Sequence, residues 1–212
     1  MDLASVDKLL TTTRTVRRRL DLTRAVEPAI IQQCLEIAIQ APAGGGIARY
    51  HFVVVTDQTT RARLADIFRK ARAERRRVEG PTVLQARSPR PRMSASVAYL
   101  ADHLHEVPVH ILPCCEYEQR QTESITNSSL YGNILPATWS LMLALRARGI
   151  GAAWTNIHLV YEEEVAALLG IPMGIRQVGL LPVAYFLGED FKPAKRVPAR
   201  ERTYWEGWGQ TR

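Results

Sequence analysis

The chain has 212 residues, 46% of them hydrophobic, which is ordinary for a globular protein and excludes a disordered chain. The length predicts one domain spanning residues 1–212 that can bury a sizeable core. A formal net charge of +7 raises the question of nucleic-acid binding. The arginine blocks are accompanied by no helix-turn-helix, zinc-finger or aromatic RNA-binding signature, so we rank nucleic acid last among the partners.

The N-terminus and the cysteines predict a cytoplasmic protein. Residues Met1–Ser5 lack the charged-then-apolar pattern of a signal peptide, and the most apolar stretch of the chain is too short and interrupted to cross a bilayer. Cys34, Cys114 and Cys115 fit neither a disulfide framework nor a metal site. We therefore expect three buried thiols without a chemical role, no metal and no membrane partner.

The first half of the chain alternates helices with one strand. Pro28 occupies a tolerated first-turn position and opens an amphipathic helix that ends before Pro42. A glycine-rich loop over 43–46 follows and leads into a valine-rich strand over Tyr50–Thr56. A charged amphipathic helix is predicted over 57–78.

The middle of the chain contains the clearest break in hydrophobic periodicity. Glu79–Arg92 holds one glycine and three prolines and predicts an irregular excursion, for which lid, linker and loop all stay open. A helix over Met93–Leu104 and a strand over Val107–Glu116 follow, and the strand is apolar enough to be buried on both faces. Residues Gln119–Ser129 then read as a polar connection.

A helical segment ending near Ala147 is apolar on nearly every face from Leu130 onward. A surface helix would show a polar side, so this segment predicts a central buried helix, a subunit-interface helix, or both. Pro136 either kinks it or marks its first turn. The turn Gly149-Ile150-Gly151 follows and runs into a short strand, and its small residues let the backbone approach a flat or phosphorylated molecule.

The rest of the chain completes an α+β layer protein. A short helix over Tyr161–Leu169 and a third apolar strand over Gln177–Phe186 precede the C-terminal tail. The strand-associated histidines are interpreted as hydrogen-bonded structural residues rather than ligands; they are His51, His110 and His158.

The residues alone indicate no catalytic constellation. The sequence lacks a Ser/His/Asp spacing, a nucleophile elbow, a Walker loop and a Gly-x-Gly-x-x-Gly after a strand, so no catalytic side chain and no metal ligand is predicted. Two basic clusters remain, one over Arg14–Arg19 and one at Lys195 and Arg196. Arginine grips phosphate with bidentate geometry, so the clusters either hold a phosphorylated cofactor or are ordinary surface charge.

Four motifs in the same order resemble those of the nitroreductase family of flavin-dependent oxidoreductases: Thr13–Arg17, Ala41–Ala43, Gly149–Trp154 and Lys195–Pro198. In that family the first motif holds the FMN phosphate and ribityl chain, the third runs beneath the flavin ring, and the last completes the phosphate site. Residues just after the third motif are expected near the N5 edge of the ring. The resemblance thus predicts these cofactor-binding residues: Arg14, Thr15, Arg17, Pro42, Ala43, Gly44, Gly46, Trp154, Thr155, Asn156, Lys195 and Arg196.

The loop after Pro42 departs from the family pattern. The family's Ser, Asn, Gln and Trp are replaced here by Ala43, Gly46, Ala48 and Tyr50, so side-chain hydrogen bonds give way to bare backbone. We expect FMN to bind through the arginines and the backbone amides of residues 44–46, less tightly or in a shifted pose. A deazaflavin could use the same space.

The resemblance implies the α+β three-layer sandwich of that family, assembled as an intertwined homodimer. It also implies an enzyme that passes electrons by a ping-pong mechanism from the co-substrate NAD(P)H, through FMN, to a nitroaromatic, a quinone or a similar small-molecule acceptor. Two alternatives stay open. The protein could store or bind flavin without turnover, or it could be a family member with divergent chemistry or a deazaflavin cofactor.

Overall fold

The computed structural model of the chain describes residues 2–44, 48–87, 91–118, 120 and 122–211, and for 79–87 and 91 it describes the backbone alone. Contacts divide the chain into two compact units, Met1–Thr13 with Glu189–Arg212, and Arg14–Gly188. The helices are α1 (Leu3–Thr12), α2 (Pro28–Ala38), α3 (Gln58–Arg87), α4 (Pro91–His103), α5 (Glu123–Arg146) and α6 (Glu162–Leu169). The strands are β1 (Tyr50–Val55), β2 (Val109–Glu116), β3 (Ile150–Ala152), β4 (Ile175–Gln177) and β5 (Leu181–Tyr185).

The larger unit is built on an antiparallel sheet in the order β1-β2-β5-β3, with β4 also paired to β2. The predicted single strand over Gln177–Phe186 is divided between β4 and β5. Val178 still donates its N–H to the carbonyl of Pro113, at 2.9 Å, but Pro113 has no N–H to return. Leu180 pairs instead with Thr155, outside the strands. The missing donor and the competing partner together interrupt the ladder.

Helices cover both faces of this sheet. On one face, α2 and α5 bury an apolar cluster with the strands; its members include Ile31, Cys34, Leu141, Leu145, Ile111 and Val183. On the other face, His110 of β2 points at the chain after α4, since its Nε2 lies 2.9 Å from the carbonyl oxygen of Leu104. The α+β layered fold predicted from the sequence is confirmed, and so are three free, buried cysteines.

The central helix begins earlier than the sequence predicts. Residues 123–129 belong to α5 rather than to a polar connection, because Thr122 caps the helix: its Oγ1 accepts the N–H of Ile125 at 3.2 Å. Glu123 in the first turn also suits the positive end of the helix dipole. Pro136 lies inside the helix, which continues past it to Arg146.

The predicted excursion over 79–92 is wrong where the structure describes it. α3 continues as helix to Arg87 and α4 begins at Pro91, while residues 88–90 lie outside the described residues. The sequence Leu84-Gln85-Ala86-Arg87 consists of strong helix formers, and proline is well tolerated in the first turn of a helix. These local preferences outweigh the glycine and proline at 80 and 81.

The smaller unit combines α1 with the C-terminal segment. Asp2 caps α1 by accepting the N–H of Ala4 at 3.1 Å, and Lys8 forms an ion pair with Asp190 at 2.9 Å. Near the end of the chain, the rings of Tyr204 and Trp208 lie 4.7 Å apart. Among the helices of the described residues, none is both long and apolar enough to pass through a bilayer.

Candidate functional site

The segment Arg14–Arg17, which we call the strip, lies alongside β3. The N–H of Val16 donates to the carbonyl of Ala152 at 2.9 Å, and Thr15 forms a parallel bridge with the same residue. Gly151 makes this approach possible, since a Cβ there would lie 2.9 Å from the Cβ of Val16. Two motifs that are about 135 residues apart in the sequence therefore meet through the backbone.

Side chains alternate along the strip. Val16 is buried, while Thr15 and Arg14 are exposed, and Arg14 takes part in an interaction within the protein. Arg17 is half-buried, and burial lowers the pKa of its guanidinium. Among the described residues, Arg17 has no hydrogen-bond acceptor and no carboxylate partner. A partly desolvated cation without a counter-charge is a binding position for an anion, and phosphate suits its fork-shaped donor set.

The chain after β3 continues beside the sheet. Thr155 exchanges two backbone hydrogen bonds with Leu180, at 3.0 and 2.8 Å. Trp154 is half-buried and packs against the apolar core, and Gly179 leaves room for it: a Cβ there would lie 2.8 Å from the indole Nε1. Asn156 is exposed and precedes the 3-10 turn Ile157–Tyr161. Thr155 and Asn156, the predicted ring-edge residues, thus come shortly after β3, the strand with which the strip is paired.

The loop after α2 is held by a residue that sequence reasoning missed. Asn133 of α5 is buried, and its Oδ1 accepts the N–H of Gly44 at 3.2 Å while its Nδ2 donates to the carbonyl of Ser129 at 2.7 Å. The Gly44 amide, expected to face the cofactor, is therefore engaged inside the protein. The available signal was an asparagine inside the largely apolar run that begins at Leu130.

The remaining predicted residues fall in three places. Pro42 is exposed and Ala43 is half-buried against the core, whereas Gly46 lies outside the described residues. Lys195 and Arg196 belong to the smaller unit, in the extended chain before the 3-10 turn Ala199–Arg202, and both are exposed. The structure thus joins the strip to β3 and its continuation, and joins the loop to α5.

Two histidines are buried, one in strand β2 of the sheet and one in the 3-10 turn after β3. Burial lowers the pKa of both His110 and His158 to about 4, so both are neutral at pH 7. His110 bonds to a backbone carbonyl, as predicted for a structural histidine. Neither ring nitrogen of His158 has a hydrogen-bond partner of ordinary geometry within the described residues, but the side chain of Gln177 lies beside it and partly offsets the lowering of its pKa. Both histidines are thus buried, neutral residues of the core.

A cavity of about 570 Å³ lies beyond the carboxyl end of β2, between α5 and the start of α6. Tyr117, Tyr131 and Leu159 form part of its wall, together with the ion pair of Arg176 and Glu162. Of the predicted cofactor residues that the structure describes, none lines it. This volume is within the range of small-molecule sites, but the residues predicted to hold the cofactor are elsewhere.

Comparison with known proteins identifies relatives of the chain. The model of the nitroreductase family matches residues 10–185. The 5,6-dimethylbenzimidazole synthase of Rhodospirillum rubrum is 24% identical over 185 residues, covering 85% of this chain and 80% of that protein.

Solved structures show the same fold. The FMN-dependent nitroreductase NfnB of Mycobacterium smegmatis, solved with NADPH, matches 97% of this chain and 100% of its own with a TM-score of 0.71 and 20% identity. An iodotyrosine deiodinase bound to FMN and 3-iodo-L-tyrosine matches 94% of this chain and 100% of its own, with a TM-score of 0.70 and 20% identity. One fold therefore carries several activities among these neighbours.

Proposed function

Because the chain belongs to the nitroreductase family, we propose that it is an FMN-dependent oxidoreductase that passes electrons from NAD(P)H to a nitroaromatic, quinone or similar acceptor by a ping-pong mechanism. The observation that carries the proposal is the environment of the Arg17 side chain. This residue is half-buried and unpaired among the described residues, and it lies in the strip that the family uses for the cofactor phosphate. An anion such as a phosphate would supply the missing counter-charge.

The residues of the strip would hold the phosphate and ribityl chain. Arg17 offers a guanidinium and Thr15 offers an exposed hydroxyl. The backbone pairing of the strip with Ala152 fixes the positions of both residues. Preorganised donors of this kind need no rearrangement when the ligand binds. Arg14, Lys195 and Arg196 remain predicted contributors of positive charge.

The segment that follows β3 would lie at the edge of the flavin ring, where Thr155 and Asn156 are the predicted neighbours. When bound, FMN supplies the hydride-accepting N5 and the electron transfer to the acceptor. The protein's part would be to hold the ring and to place polar groups at its edge. Burial lowers the pKa of His158 to about 4, so this histidine is uncharged at neutral pH and adds no positive charge to this part of the protein.

We also propose that the protein works as a homodimer through α5. Although this helix is central, several of its large apolar side chains are 37–44% exposed in the single chain; they are Ile125, Tyr131, Leu135 and Trp139. A second copy that covers them would remove this apolar surface from water. Sedimentation of the wild type should give a dimer, whereas Trp139→Asp should give a monomer. A wild-type monomer at micromolar concentration would overturn this part of the proposal.

A second candidate is a family member with different chemistry, and the similarity to 5,6-dimethylbenzimidazole synthase favours it over flavin storage. The visible absorption spectrum of the purified protein, before and after anaerobic addition of NADPH, separates the candidates. A two-band flavin spectrum that bleaches is the result expected for the oxidoreductase. A flavin spectrum that NADPH and NADH leave unchanged would favour the second candidate, and a colourless protein that also refuses added FMN would contradict both.

A further inference from the structure

The segment between Thr155 and Glu162 is held against the chain 176–180 at both of its ends. At its start, Thr155 and Leu180 exchange two backbone hydrogen bonds. At its end, Glu162 forms hydrogen bonds with Arg176 and Gln177, which both belong to β4. A short segment fixed at both ends keeps a defined path even when its middle makes few bonds.

Glu162 is the centre of the second attachment. Its Oε1 accepts the Nε–H of Arg176 at 3.0 Å and the backbone N–H of Gln177 at 2.9 Å, and its Oε2 accepts Nη2–H of Arg176 at 2.8 Å. Its backbone carbonyl accepts the side-chain Nε2–H of Gln177, also at 2.8 Å. Four hydrogen bonds, two of them in a fork-to-fork ion pair, thus join α6 to β4 at one residue.

The middle of the segment has a backbone bond of its own, from the N–H of Leu159 to the carbonyl of Asn156 at 3.2 Å, but no comparable ion pair among the described residues. His158 is fully buried, yet both of its ring nitrogens and the neighbouring Oε1 of Gln177 have no hydrogen-bond partner within the described residues. The middle is therefore held by its own backbone bonds, by packing and by the ring of Tyr161, which lies 4.0 Å from the Nζ of Lys70. The strong hydrogen bonds to the chain 176–180 are at the two ends of the segment. The end at Thr155 is backbone pairing that no side-chain change removes directly, whereas three of the four bonds at the other end depend on the carboxylate of Glu162.

From this arrangement we infer that Glu162 is a positioning residue that fixes residues 155–157 at the edge of the flavin. The inference rests on the proposed function and deepens it. Asn156 is exposed on the outer side of the segment, while His158 fills the inner side. A segment released at Glu162 would move Asn156 relative to any ring beside it, although Glu162 itself would not touch the ring.

The test compares Glu162→Ala with a matched control, Glu163→Ala, which changes an exposed carboxylate in the same first turn of α6. Hydrogen–deuterium exchange of the cofactor-free protein should show at least tenfold faster exchange over 155–161 in E162A. E163A should exchange like the wild type. Unchanged exchange in E162A, or equal acceleration in both variants, would overturn the inference.

Flavin binding supplies the second readout. We expect the Kd for FMN to rise about tenfold in E162A and the midpoint potential of the bound flavin to shift, with both recovering partly in Glu162→Gln, which keeps an acceptor oxygen. Faster exchange without any change in affinity or potential would leave Glu162 a merely structural residue and overturn the positioning role. If the wild type binds no FMN, the proposed function fails. The exchange experiment still tests whether the bonds of Glu162 to β4 hold residues 155–161 in place. If E162A does not fold, E162Q and Arg176→Met take its place in the comparison with E163A.

Discussion

The strip Arg14–Arg17 and the loop Pro42–Gly44 are both predicted to contact the cofactor, yet the fold holds them in different ways. The strip is paired to β3 through backbone atoms and is packed against Gly151. The described part of the loop is tied to α5 by the side-chain oxygen of Asn133. Backbone pairing persists through most substitutions, whereas a side-chain bond is lost with one. We therefore expect the position of the strip to tolerate more substitutions than the position of the loop.

Acidification tests the two buried histidines and gives the largest expected effect. Burial lowers the pKa of His110 and His158 to about 4, below their ordinary 6.5, so the unfolded chain binds more protons between these values. Stability therefore falls as the pH drops from 6.5 towards 4. Each histidine should account for about 2 to 3 kcal/mol of unfolding free energy at pH 4.5 relative to pH 7.5.

Urea unfolding at the two pH values measures this effect. His158→Gln and His110→Gln should each reduce the pH dependence by its own share. A pH dependence that H158Q and H110Q leave intact would show that these histidines are not buried as described.

Gly151→Ala should push the strip away from β3, because the new Cβ would lie 2.9 Å from the Cβ of Val16. We expect a loss of about 1 to 3 kcal/mol in the free energy of unfolding. Combining Gly151→Ala with Val16→Gly, which removes the Cβ of Val16, should cost less than the sum of the two single changes. Strict additivity in this double-mutant cycle would contradict the close contact on which the strip's position depends.

Arg17→Ala separates the charge of the strip from its backbone pairing. We expect the Kd for FMN, measured by fluorescence titration, to rise about 10- to 100-fold, corresponding to about 1.4 to 2.8 kcal/mol of charge-assisted hydrogen bonding. Arg18→Ala is the matched control, since Arg18 is the exposed neighbour outside the predicted set. Equal losses in both variants would indicate a general effect of charge rather than a site at Arg17.

Asn133→Ala tests the loop and has the smallest expected effect. Removing the acceptor of the Gly44 N–H should cost about 1 kcal/mol of stability and weaken FMN binding a few-fold. Asn127→Ala, at an exposed position on the same helix, should change neither quantity. If N133A weakens FMN binding more than Arg17→Ala does, the loop rather than the strip dominates the site.

Much of the fold could be read from local patterns. The proline-started helix α2, the valine-rich β1 and the apolar β2 are where periodicity predicts them, because each pattern reflects a local preference or a buried face. One error comes from a neighbouring strand, and two come from competing local preferences, at the start of α5 and at the end of α3. The strand over Gln177–Phe186 is interrupted by Pro113 of β2, and α5 begins at the cap provided by Thr122.

The sequence by itself determined the family, through four short motifs in order, and with it the residues expected to hold a cofactor. Only the tertiary structure decided that Val16 lies on Gly151, that Asn133 holds Gly44, and that Glu162 joins α6 to β4. Each of these contacts joins residues that are distant in the chain or on different elements. Periodicity and local motifs describe how a segment folds on itself, but a contact of this kind depends on where two segments pack, which no local pattern encodes.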